Sequence, residues 1–249
     1  MDNFEVNLGG RSIPRLMIGT SPFMGAGQFR EKADGYRRRF CEHPENMTEL
    51  FAYFVQKGLR GAHLCLLEPI ARAAMDAYEK VGFRFPVLVT LMPDNWDLQW
   101  EWIARLDTVA VFLHAHYADQ APRTLIREFI RKTRNLGLIP GVSTHEGGFT
   151  IPMLDRMNLD LGAYLVAFNK KGLHVHPDLP STLRAISSTD KFLVGMKTLG
   201  AGALRPAEAL PFVLERVHAV TMGLTEKEEI DQAFEALKEC RFLKNPPAA

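Results

Sequence analysis

TVAVFLHAH (108–116), PRTLIREFIRKTRNLG (122–137) and LIPGVSTH (138–145) follow one another along the chain, and their order decides the fold. The first and third are short apolar runs rich in β-branched residues, and each closes on histidine. The middle one spaces Leu125, Ile126, Phe129 and Ile130 so that one helical face is apolar, with basic residues filling the other. Strand, amphipathic helix and strand in under 40 residues form a crossover unit joining parallel strands.

The unit repeats in both directions. Further strands read as PRLMIGT (14–20), RGAHLCL (60–66), FPVLVTLM (85–92), AYLVAFN (163–169), FLVGMKT (192–198) and VHAVTMGL (217–224). Helices are expected at 46–58, 68–82 and 205–217. A last helix, 225–240, opens with Thr225 and, three residues on, Glu228 in capping-box spacing. Eight strands, each followed by a helix, predict a single (β/α)₈ TIM barrel over residues 1–249, an α/β fold preceded by an N-terminal β-hairpin. GTSPFMGAGQF (19–29) is glycine-rich but does not pass straight into a helix, so it is not a G-x-G-x-x-G dinucleotide fingerprint. The charged segment 23–44, with GYRRRF at 35–40, reads as a solvated loop or loop-borne helix, with a lid over the barrel mouth as the sharper alternative.

Composition narrows the function classes. Among 249 residues, 30 are basic and 29 acidic, so no field steers the chain towards nucleic acid or an anionic membrane. The expected partner is a small-molecule substrate, and a homo-oligomer is compatible with this composition. Cys41, Cys65 and Cys240 lie far apart without metal-pair spacing, and no apolar run reaches a membrane span. MDNFEVNLGG shows no leader pattern, so a cytoplasmic, unprocessed chain is expected.

Side chains alternate along a strand, and barrel enzymes build their sites at strand C-terminal ends. By that parity His63 and Cys65, then His114 and His116, then Ser143 and His145, then Lys197, face one mouth. Glu68 and Glu146 lie just beyond, on loops. The expectation is a histidine-rich site with His63, His114, His116 and His145 as ligands of a divalent metal, zinc, iron, manganese or cobalt. Glu68 or Glu146 would serve as ligand or general base, and Lys197 would bind substrate or act as base. Metal-assisted hydrolase, lyase or isomerase chemistry on a small polar molecule follows. GLHVHPDLP (172–180), with His174 and His176, reads as a surface loop and possible rim contact. Trp96, Trp100 and Trp102 read as a helix packing face.

VNLGGRSIPRLMIGTSPF (6–23), VGMKTLGAGALRPAEALPFVLER (194–216) and VHAVTMGLTEKEEIDQAFEAL (217–237) resemble the aldo-keto reductase family in its opening hairpin and first strand and in its last two strand–helix units. The resemblance implies a barrel that binds a reduced nicotinamide, with an aspartate, tyrosine, lysine and histidine tetrad. Here His63 stands at the aspartate, Glu68 at the tyrosine and Leu91–Met92 near the lysine; only the histidine is matched, by His114. The alternative reading is therefore an NAD(P)H-dependent reductase with an altered proton donor, in which Lys227 would read the 2′-phosphate of NADP. A non-catalytic metabolite-binding barrel is the third.

Overall fold

The computed structural model describes residues 4–120 and 122–240. It begins with an antiparallel hairpin of β1 (Glu5–Leu8) and β2 (Arg11–Pro14), whose turn is held by Gly10 N donating to Asn7 Oδ1. Eight parallel strands follow: β3 (Leu16–Gly19), β4 (Ala62–Cys65), β5 (Val87–Leu91), β6 (Thr108–Leu113), β7 (Ile139–Thr144), β8 (Ala163–Ala167), β9 (Phe192–Met196) and β10 (Ala219–Gly223). They close into a barrel in chain order, with β10 pairing back onto β3. Each is the apolar centre of a run expected from sequence.

Helices cover the outside. α1 (Ala33–Cys41) and α2 (Glu45–Gln56) follow β3; α3 (Glu68–Val81) follows β4; α4 (Trp96–Arg105) follows β5; α5 (Ala115–Ala118) and α6 (Arg123–Asn135) follow β6. Single helices then alternate with the strands: α7 (Gly147–Arg156), α8 (Leu179–Ser188), α9 (Pro206–Leu214) and α10 (Lys227–Lys238). In α6 the residues turned inward are Ile126, Phe129, Ile130 and Thr133, the i, i+3, i+4, i+7 set that a half-buried helix requires. None of the helices among the described residues is long and apolar enough to cross a membrane.

The barrel interior is packed rather than hollow. Met17, Leu88, Ala110, Phe112, Leu165 and Val194 form one buried cluster with Val6, Leu8 and Ile13 of the hairpin, which stoppers the N-terminal end. Phe112 fits because its neighbour across the β6–β7 ladder is Gly141, where a Cβ would lie 2.5 Å from the Phe112 ring. At the same end buried Arg15 donates to the His218 carbonyl at 3.0 Å. The His218 ring stacks on Phe192 and accepts from Leu193 N at 2.8 Å.

Two expectations need correction. β6 stops at Leu113, and His114 is the N-cap of the four-residue α5, so strand alternation no longer applies at His116. At the start of α10 the carboxylate that folds back is that of Glu229, not Glu228: it accepts from Thr225 N at 2.6 Å and from Thr225 Oγ1 at 3.2 Å. The 23–44 segment carries helix, one of its two expected forms: a 3₁₀ stretch over Gly27–Lys32, kinked at Arg30, runs into α1.

Candidate functional site

A cavity of about 1060 Å³ opens at the C-terminal end of the barrel. Its floor carries His63, Thr90, His114, Ser143 and His145; one side is the stretch Lys197–Gly202, and residues 26–32 cover it.

His63 is buried deepest. Its Nε2 lies 2.9 Å from Thr90 Oγ1, and burial, reinforced by the nearby His114, pushes its pKa down to about 4. His145 is likewise lowered to about 4, by burial first and by the Lys197 charge second. Burial also lowers His114, aided by His116 and opposed by Asp119. All three are neutral imidazoles near pH 7. His114 Nδ1 accepts from His116 N at 3.1 Å, so in the neutral ring the proton resides on Nε2, which makes that nitrogen a donor. The His114 and His145 rings stand 6.2 Å apart, edge to face.

Lys197 follows directly on β9 with a positive φ of 56°, and burial lowers its pKa against the opposing pull of Asp119. Asp119 caps the corner between β7 and α7. It accepts from Thr144 Oγ1, from His145 N at 3.0 Å and from Thr150 Oγ1 at 2.8 Å, and so fixes the backbone that presents His145. His176 N donates to the His145 carbonyl at 3.1 Å, tying the loop after β8 to the same point and bringing His174 to the cavity rim.

Several sequence candidates lie elsewhere. His116, carried round by α5, is exposed and does not line the cavity. Glu68 sits in the first turn of α3 and pairs with Arg72 at 2.7 Å in solvent; Glu146 is exposed at the N-cap of α7. Neither carboxylate reaches the mouth, because the first turn of a crossover helix rotates away from the barrel axis. Lys227 is exposed, its Nζ 5.2 Å from the Tyr53 ring centre, and also lies outside the cavity wall. Among the described residues no three His, Cys, Asp or Glu side chains form a group that could hold a metal ion. The four-histidine metal centre is thus not assembled; His63, His114, His145 and Lys197 are brought together, and His116 is not.

Sequence reasoning missed Asp119, Arg30 and two threonines. Thr198 and Thr221 line the cavity with buried hydroxyls that have no hydrogen-bond partner. Thr221 left a signal, being polar on the inward parity of Ala219 and Gly223. Asp119 left none, since its role depends on a contact with β7.

No known family's sequence profile matches the chain, and no curated protein matches it in sequence. Solved structures do. A thermostable aldo-keto reductase determined with the inhibitor epalrestat is 16% identical, with a TM-score of 0.63 and 93% of each chain covered. An aldo-keto reductase from Brucella melitensis is 11% identical, TM-score 0.64, over 93% of this chain and 92% of that one. An aldo-keto reductase from a Medee basin deep-sea metagenome library is 12% identical, TM-score 0.64, over 98% and 97%. The chain therefore has a TIM-barrel fold that resembles aldo-keto reductases, and these structural neighbours are enzymes. At such identities the likeness is one of fold; the chemistry rests on the residues at the mouth.

Proposed function

We propose that this chain is a nicotinamide-dependent oxidoreductase acting on a small carbonyl compound, with the Lys197 ammonium in place of a phenolic proton donor. The observation that carries this reading is Lys197, half-buried among neutral imidazoles on the wall of the large cavity. Burial weakens an ammonium's hold on its proton, which makes Lys197 a better acid than a solvated lysine. His114, neutral and bearing its proton on Nε2, can donate to a carbonyl oxygen without competing for the transferred proton. Asp119 holds His145 in place and Thr90 anchors His63.

The cavity suits a dinucleotide. Its volume exceeds the roughly 300–1,000 Å³ common for single small ligands. Thr198 and Thr221 offer unpartnered hydroxyls on the same cavity wall as the tight turn at Gly200, Ala201 and Gly202, all with positive φ, and these residues would hold the cofactor's polar groups. A bound reduced nicotinamide would supply the hydride. The 2′-phosphate of NADP is poorly served: Lys227 is turned away, while Glu226 and Glu229 stand at the start of α10, so NADH is preferred. Titration of the pure protein with NADH and with NADPH, following nucleotide fluorescence, tests this. Saturable NADH binding at least tenfold tighter than NADPH is expected. Absence of saturable binding by either nucleotide ends the reading.

A further inference from the structure

Backbone strain and charge coincide at one place. The non-glycine residues with positive φ among the described residues are Arg30, Asn158, His174, Lys197 and Ala201, at 48°, 48°, 57°, 56° and 57°. All but Asn158 line the cavity, and three of those four carry basic side chains. An L-residue in this region costs free energy that the surrounding structure must offset, and such residues gather where function demands a fixed direction. Here they come from three separate segments: the 3₁₀ stretch after β3, the loop after β8 and the turn after β9.

His174 shares the cavity wall with both cations, and burial first, then the charges of Lys197 and Arg30, disfavour its protonation. It therefore offers an N–H rather than a charge at neutral pH. Arg30 forms no ion pair among the described residues. Two carboxylates also reach the wall, Glu31 and Glu229, but Glu229 is engaged by Thr225. A guanidinium left unpaired at the rim of a polar cavity matches a planar or tetrahedral oxyanion.

We propose that Arg30 and His174 clamp the anionic end of the substrate, a carboxylate or a phosphate monoester, and so present its carbonyl to Lys197. The substrate class becomes the oxo acids and phosphorylated aldehydes or ketones. The word carbonyl rests on the oxidoreductase reading; the anion site does not, and it is tested without reduced nucleotide.

Calorimetric titration of the full chain with oxalate, with inorganic phosphate and with ADP-ribose separates the possible sources of the anion. Saturable binding of oxalate or phosphate is expected, weakened roughly tenfold or more by Arg30→Gln and several-fold by His174→Gln. Lys227→Gln, outside the cavity, should bind as the parent does, and ADP-ribose binding should not respond to Arg30→Gln. The proposal is overturned if neither anion binds saturably, or if both variants, folded by circular dichroism, bind it as tightly as the parent. It is equally overturned if Arg30→Gln weakens ADP-ribose alone, which would assign the guanidinium to the nucleotide. A failed NADH titration leaves these isotherms standing, so the two readings fail separately.

Discussion

The two ends of the barrel are built on opposite principles. At the N-terminal end the hairpin seals a cluster of apolar side chains, and buried Arg15 finds the His218 carbonyl. At the C-terminal end lie two buried hydroxyls without partners, histidines lowered to about 4, and positive φ at residues other than glycine. One end is optimised for the folded chain alone. The other holds polar groups that the chain's own side chains leave unsatisfied.

Substitutions can break that contrast, beginning with the interior. Phe112→Ala removes a ring that fills the space left by Gly141, and it should destabilise the protein by roughly 3–5 kcal/mol in urea unfolding. A loss below about 1 kcal/mol would mean the interior is not the packed stopper described.

Acid should act on the mouth. The unfolded chain takes up protons on His63 and His145 near the ordinary histidine pKa of 6.5, whereas in the folded protein they stay neutral down to about 4. The unfolded state thus binds more protons between these values, and stability falls as pH drops from 6.5 to 4, on the order of 3 kcal/mol for buried His63 alone. The stretch from pH 6.5 to 5 isolates the histidines from most carboxylates. Urea midpoints should decline there, and His63→Asn should flatten part of the slope; an unchanged slope would contradict burial of a neutral ring.

Thr221→Val removes a buried hydroxyl that nothing satisfies, so stability should hold or rise by up to about 1 kcal/mol while NADH binding weakens. A clear loss of stability would show that the hydroxyl is already paired. The smallest effect belongs to His116→Ala: within about 0.5 kcal/mol in stability, as for other exposed sites, and less than twofold in nucleotide affinity.

The same contrast marks where sequence reading succeeds. Eight strands were legible because each is an apolar run between helices of a different period, a local property of the chain. Parity also brought His63, His114, His145 and Lys197 to one mouth, since each lies in or beside a strand. It failed at His116, where the chain had left β6 one residue too early for alternation to hold, and at Glu68, Glu146 and Lys227, whose directions follow helix starts. Asp119 is placed by contacts with β7 and α7, and Arg30 meets the cavity only through the folding of the segment after β3; no spacing in the sequence encodes either.

The central claim is that Lys197 supplies the proton in a nicotinamide-dependent carbonyl reduction. Its most direct test compares oxo-acid-dependent oxidation of NADH by the parent and by Lys197→Met, with NADH affinity measured alongside. General acid catalysis predicts turnover in the parent and a loss of roughly 10²–10⁴ in kcat for the variant, with nucleotide affinity little changed. Turnover in Lys197→Met equal to that of the parent would contradict the account.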